Sequence, residues 1–323
     1  MDVVRLGRTD LDAVEAFFRR HTWHAATWDR LLDSAAVARL ARAQVASDAE
    51  QGGVVLGAAG GRELEGVAVL TPSAWDTAFF GVARGQVTVF EGSSAEAEAA
   101  LAARLGPEAR RLGLEHVHAV VDGRCHGAIA ILQRTGWRVA WTSLKMVCDT
   151  QAIESAALVR EPAGAFEVIP FEQAHLDRVL DMAERVRGIS WLEHEPDLPA
   201  QRRREYLVEM TRNCCAGRFA DLSVTLLDRG APVGFNASAI SRYPEGVASH
   251  LFTHERVTFT DPTVHGRGYG HALERGVVRH LAPRVRFLTG RVRLGAPNML
   301  RVVEDAGFRC QGGDVYLVRR TPA

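Results

Sequence analysis

Lysine is almost missing from this chain: Lys145 is the only one among 39 basic residues, and every other is arginine. Codon usage accounts for that bias without a functional reason. Long hydrophobic runs are missing too, so no segment can span a bilayer, and the first residues carry no secretory h-region. Excess charge of either sign is absent. With 39 basic and 39 acidic residues, a general polyanion binder is excluded, and nucleic acid and membrane are not expected partners. Cysteines number five, without framework spacing, which points to reduced thiols and a cytoplasmic setting. Cys214 and Cys215 are adjacent but lack a second pair at metal-site spacing, so no metal is expected there.

The 323 residues exceed what one core usually supports, so two domains are expected. Residues 151–165 show no period and contain a proline and two glycine-adjacent alanines, which marks them as a linker between 1–150 and 166–323. After it the apolar periodicity predicts a strand at 166–170, helices over 172–187 and 200–215, and a hairpin of 222–227 with 233–238. A long strand follows at 248–260, then a helix over 272–281, a strand at 285–292, a short helix over 299–306 and a last strand at 314–319. The first half repeats this outline, with helices over 10–20, 28–45, 95–112 and 127–134 and a closing strand at 139–147. Matching orders over similar lengths indicate an internal duplication. The fold class is therefore α/β (α+β): two tandem units, each a mixed, mostly antiparallel sheet with helices on both faces.

The run Asp261-Pro262-Thr263-Val264-His265-Gly266-Arg267-Gly268-Tyr269-Gly270 lies between the long strand and a helix. Three bare glycines there let successive N–H groups face one concavity, and the helix adds the positive end of its dipole. That is a pyrophosphate cradle. The first half has Phe90-Glu91-Gly92-Ser93-Ser94 at the matching place, where a carboxylate would repel phosphate. It is expected to lack a working cradle. A dinucleotide-binding fold would want an acid near position 290, where none stands, and no Gly-Lys-Ser/Thr follows for a kinase-type loop.

On His265, Gly268 and Gly270, together with Asp261-Pro262 and the stretch from Asn298 to Phe308, the chain resembles the GNAT superfamily of acyl-CoA-dependent N-acyltransferases. Residues 74–82 and 206–219 are similar to bacterial acetyltransferases of TDP-linked amino sugars (TDP-fucosamine type). The resemblance covers 166–323 strongly and 1–150 weakly. It implies acetyl-CoA as co-substrate, bound by amides from Val264, His265, Gly266, Arg267, Gly268, Tyr269 and Gly270, with Asn298 nearby, and a thioester carbonyl polarised by N–H groups near Phe259 and Thr260. It departs from the family at His265, where Arg or Gln is usual, and at Val303, where many members carry tyrosine.

Acyl transfer also needs a base for the attacking ammonium and an acid for the leaving thiolate. His254 and Glu255 are the base candidates. Adjacent strand residues face opposite ways, and His254 is preferred because its offset of eleven from His265 is that of the glutamate base in the histone-acetyltransferase branch. Tyr316 is the expected acid, by similarity of Val315-Tyr316-Leu317 to the amino-sugar enzymes' closing strand. The expected protein is a monomeric or homodimeric transferase for a small-molecule amine. The alternative is a non-catalytic acyl-CoA sensor or scaffold.

Overall fold

This computed structural model describes residues 1–26, 29–61, 63–153, 166–264 and 266–321. His265, most of the expected linker and Trp28 lie outside them. The first half runs β1 (Asp2–Arg5), α1 (Leu11–Arg20), α2 (Ser34–Glu50), β2 (Val54–Gly60), β3 (Glu63–Pro72), α3 (Ala74–Phe80), β4 (Arg84–Gly92), α4 (Ala95–Arg111), β5 (His116–Asp122), α5 (His126–Arg134) and β6 (Arg138–Asp149). The second runs β7 (Phe166–Pro170), α6 (Leu176–Arg185), α7 (Ala200–Cys215), β8 (Leu222–Asp228), β9 (Ala231–Arg242), β10 (Leu251–Thr260), α8 (Tyr269–Leu281), β11 (Phe287–Arg293), α9 (Pro297–Asp305) and β12 (Arg309–Arg320).

Among the described residues twelve strands form one sheet, ordered β1-β2-β3-β4-β5-β12-β6-β11-β10-β9-β8-β7. The two closing strands have changed places. Strand β12 lies between β5 and β6, and β6 pairs with β11 of the second half. Side-chain chemistry carries this exchange: Met146 and Cys148 of β6 are fully buried in the core beneath α8 and α9, whereas Leu317 of β12 is buried in the core of α4 and α5. Each apolar side chain of this size contributes about 1.5–3 kcal/mol when fully buried. The sheet thus joins the two halves of the chain without a break.

Helices cover both faces of each half. In the first half α1 and α2 bury Val14, Phe17 and Val45 against Val55 and Val67, and α4 and α5 bury Leu101 and Leu132 on the opposite face. In the second, α6 and α7 cover Phe235 and Phe259, opposite α8 and α9. One helix begins earlier than its apolar period suggested. Helix α8 starts at Tyr269, because that ring is buried beside Phe166 and its hydroxyl donates to Asp228, making the glycine run itself the first turn.

The seam of the exchange holds the sole lysine. Lys145 Nζ lies 3.3 Å from Asp122 of β5 and 3.4 Å from Asp314 of β12, with its side chain only 7% exposed. A bulky amine-reactive reagent is expected to modify only the amino terminus of the native protein and to reach Lys145 after denaturation, a difference that peptide mass spectrometry reads directly. Rapid native labelling at Lys145 would show that the seam opens in solution.

Candidate active site

Strands β10 and β11 are parallel partners over only three positions, Phe252 with Phe287, Thr253 with Leu288 and His254 with Thr289. Beyond them they diverge. The cause is a bulge at Arg256: Glu255 faces Ser238 of β9 but Val257 already faces Ala237. A bulge bends its strand and re-aims the residues around it. Asp261 N–H bonds to Val233 O at 2.9 Å, which fixes the alternation of the β9–β10 ladder. Counting back along it, the N–H groups of Thr260 and Thr258 point away from β9 into the gap. By this register the Phe259 amide belongs to the ladder, so the expected pair at Phe259 and Thr260 is corrected to the two amides that face the gap, Thr258 and Thr260.

The gap opens into a cavity of about 200 Å³ lined by His254, Glu255 and Thr258 of β10, Thr289 and Arg291 of β11, and Tyr316 of the exchanged β12. Trp141 and Ser143 of β6 and Leu207 and Met210 of α7 add further walls. The three residues expected to do proton chemistry therefore all border one cavity. Tyr316 arrives there through the strand exchange, beside Trp141 of β6 in register and with its ring 6.0 Å from that of Trp191.

His254 Nδ1 lies 3.1 Å from Thr289 Oγ1, and that hydroxyl donates to the carbonyl of Thr253. With its hydrogen so committed, Thr289 presents a lone pair to the ring, which places the imidazole hydrogen on Nδ1 and leaves Nε2 as the acceptor. Burial, and then the charges of Arg291 and Arg256, lower the His254 pKa to about 4. The ring is therefore neutral at pH 7.

Glu255 lies on the opposite side of β10. Its Oε1 accepts from Asn236 Nδ2 at 2.7 Å, and its carboxyl is held close to Glu274 of α8, which takes a 3.1 Å hydrogen bond from Thr258 Oγ1. Burial first, and then the Glu274 charge, push the Glu255 pKa well above the carboxylate range; burial raises Glu274 to about 7. Gly290 makes room for the pair, since a Cβ there would sit 2.8 Å from Glu255 Oε2. A carboxyl whose pKa is raised on folding favours the native state at low pH and loses that advantage as pH rises through the native value. Glu274→Gln is therefore expected to raise thermal stability more at pH 8 than at pH 5, as differential scanning fluorimetry across that range would show.

The glycine loop is braced from below. Asp261 is fully buried; its Oδ1 accepts from the Thr263 amide at 2.9 Å and hydroxyl at 2.8 Å, and its Oδ2 pairs with Arg178 and, at 3.2 Å, Arg185 of α6. Gly266 and Gly268 adopt φ of +81° and +83°, left-handed values that a side chain disfavours. A Cβ on either would meet nothing within 4 Å, so the backbone faces an open concavity. The first amides of α8 have no carbonyl partner within the helix and face the same way. A diphosphate fits these donors. Arg267 is exposed at the rim, Val264 half-buried, and Asn298 is exposed in the first turn of α9. Tyr269 contributes its main chain alone, because its side chain is spent on Asp228.

The first half has the same splay without the same loop. Strands β4 and β5 pair from Arg84 to Val87, and a bulge follows at Thr88. By register, Gln86 and Val87 stand where His254 and Glu255 do. Glu91 lies at the end of β4, and Ser94 caps α4 directly by accepting from the Ala97 amide.

No protein-family model and no curated protein matches the chain. Solved structures do match its fold. A tandem GNAT protein from the clavulanic acid biosynthesis pathway, solved without AcCoA, aligns over 100% of this chain and 99% of its own, with a TM-score of 0.57 and 14% identity. A GCN5-related N-acetyltransferase from Sphaerobacter thermophilus aligns over 100% and 96%, with a TM-score of 0.60 and 16% identity. A GCN5-related glucosamine N-acetyltransferase region of a fungal multi-domain β-N-acetylglucosaminidase covers 98% of this chain and 38% of that one, at 0.60 and 13%. The fold is thus that of the tandem GNAT proteins. At these identities the likeness carries the fold alone.

Proposed function

We propose that the chain is an N-acyltransferase that moves an acetyl group from acetyl-CoA to a primary amine of a small molecule, by direct attack within a ternary complex. The observation that carries this reading is the alignment of three things along one strand: the donor-rich loop after β10, the splay beside its bulge, and a neutral histidine at the mouth of the splay. Loop amides from Val264 to Gly270 hold the diphosphate of the coenzyme, and the amides of Thr258 and Thr260 polarise the thioester carbonyl. Holding both reactants in the cavity supplies a large part of the acceleration.

His254 Nε2 takes a proton from the incoming ammonium. The amine nitrogen then bonds to the carbonyl carbon as the carbon–sulfur bond breaks, the sulfur leaves with the bond pair, and the surplus proton on the new amide nitrogen passes to water. Burial raises the Tyr316 pKa, so its hydroxyl keeps its proton until the thiolate forms and can give it up there. Burial and the Glu274 charge disfavour the Glu255 carboxylate, and its Oε1 is taken up by Asn236, so His254 is the base in this reading. A cavity of about 200 Å³ walled by Trp141, Trp191 and Tyr316 suits a compact amine such as an amino sugar or a specialised metabolite, and one fold neighbour is named for glucosamine.

Thioester consumption tests the proposal. Acetyl-CoA cleavage should accelerate with at least one member of a panel of amino sugars and small amines, with the acetylated amine found by mass spectrometry. Coenzyme binding without turnover of any acceptor would favour a sensor or scaffold.

A further inference from the structure

The opening between β4 and β5, the counterpart of the proposed coenzyme cleft, is not empty. Trp23, only 7% exposed, packs against β4 and β5 there from the segment between α1 and α2, and His24 follows it in the chain. The segment is tied down by Glu91, which accepts from the His24 amide at 2.9 Å through Oε1 and lies 3.0 Å from His24 Nδ1 through Oε2. Cys125, at the amino end of α5, completes a group of three. A His24 ring nitrogen, a Glu91 oxygen and Cys125 Sγ all lie within 4.8 Å of one another. Beside Glu91 and Cys125 is a void of about 20 Å³, also bounded by Thr88 and Asp122. It has room for a single water or ion.

We propose that His24, Glu91 and Cys125 form a binding site for one divalent transition cation of the zinc class, which staples residues 21–26 across the opening of the first half. Imidazole, carboxylate and thiolate are the donor types such a cation selects, and a thiolate disfavours magnesium and calcium. At ordinary zinc bond lengths the edges of a tetrahedral site are about 3.3–3.8 Å, so the three donors need shifts of roughly an ångström or less. The His24 amide fixes one Glu91 oxygen and turns the other toward the ring, the kind of outer support that metal-binding carboxylates receive. The void supplies the place for a fourth donor, a water. The three ligands come from a loop, the end of a strand and the start of a helix, so occupancy would cross-link segments that have no covalent tie.

The site is independent of the acyl-transfer reading, and its test needs no turnover. Full-length protein stripped with chelator is titrated with Co²⁺ and then Zn²⁺ under reducing conditions. One equivalent of cobalt should give thiolate charge-transfer absorption in the near ultraviolet with intense visible bands, and zinc should displace it. Cys125→Ser should remove the charge-transfer band, and both it and His24→Ala should weaken binding about 100-fold or more, whereas Cys310→Ser, at the exposed thiol, should leave it unchanged. The metal should raise the melting temperature of the wild type and not of Cys125→Ser. Failure of the wild type to bind cobalt, or a spectrum that persists in Cys125→Ser, would overturn the proposal. If the variants do not fold, extended X-ray absorption of the wild-type cobalt complex decides, with one sulfur and the rest nitrogen or oxygen expected; absence of sulfur would contradict the site.

Discussion

Replacing His254 by alanine is expected to lower kcat/KM for acetyl transfer by about 10² to 10⁴, the usual contribution of a general base, while leaving coenzyme affinity nearly unchanged. The side chain lies on β10 ahead of the bulge, whereas the diphosphate donors follow the strand, so the two functions separate by position. The pH profile gives an independent reading. Because the His254 pKa is lowered to about 4, the acid limb of kcat/KM should fall near that value rather than near 6.5. Thr289→Val, which removes the hydroxyl beside Nδ1, should weaken the reaction and move the acid limb. Glu255→Gln should cost less than His254→Ala, since Glu255 lies on the other side of β10, where its carboxyl is hydrogen-bonded to Asn236. If the order were reversed, Glu255 would be the base.

Glu195→Ala is expected to destabilise the protein by about 1.5–3 kcal/mol, the contribution of a hydrogen bond to a charged group, because Arg138 is left 43% exposed and still paired with Asp197. The Glu195 side chain is wholly buried in the second half, yet its basic partners belong to the first: Arg138 donates to Oε1, and His116 Nε2 is 3.6 Å away. The Glu195 carboxyl feels burial most, but His116, the Asp197 amide and Arg138 together hold its pKa below the usual range. That stabilisation is present at pH 7 and is lost as pH falls through the lowered native value. Denaturant unfolding should therefore show a larger gap between wild type and Glu195→Ala at pH 7 than at pH 3. Equal stability of the two proteins at pH 7 would mean that this contact between the halves contributes nothing.

Much of the fold was legible because its signals are local. The 200–215 helix is found as expected, since one stripe of Leu207, Thr211 and Cys214 is buried. The glycine loop was equally plain, as it needs only a positive φ and missing side chains over a few residues. The exchange of β6 and β12 was not, because either closing strand offers a similar alternating pattern to either core. Only the packed volumes of Met146, Cys148 and Leu317 distinguish the two pairings. The amides near Phe259 and Thr260 were named from the family resemblance, which does not fix the ladder register, and nothing in Glu255-Arg256-Val257 announces the bulge. His24, Glu91 and Cys125 are separated by 67 and 34 positions, and no spacing rule connects them.

Calorimetric titration of the full chain with acetyl-CoA tests the central claim most directly, because it reads both the grip of the loop after β10 and the closure of the first half. One site per chain is expected, lost in Gly268→Val, whose side chain would force a left-handed residue out of place in the concavity while meeting no atom of the folded protein. No binding heat, two equal sites, or a wild-type isotherm from the variant would contradict it.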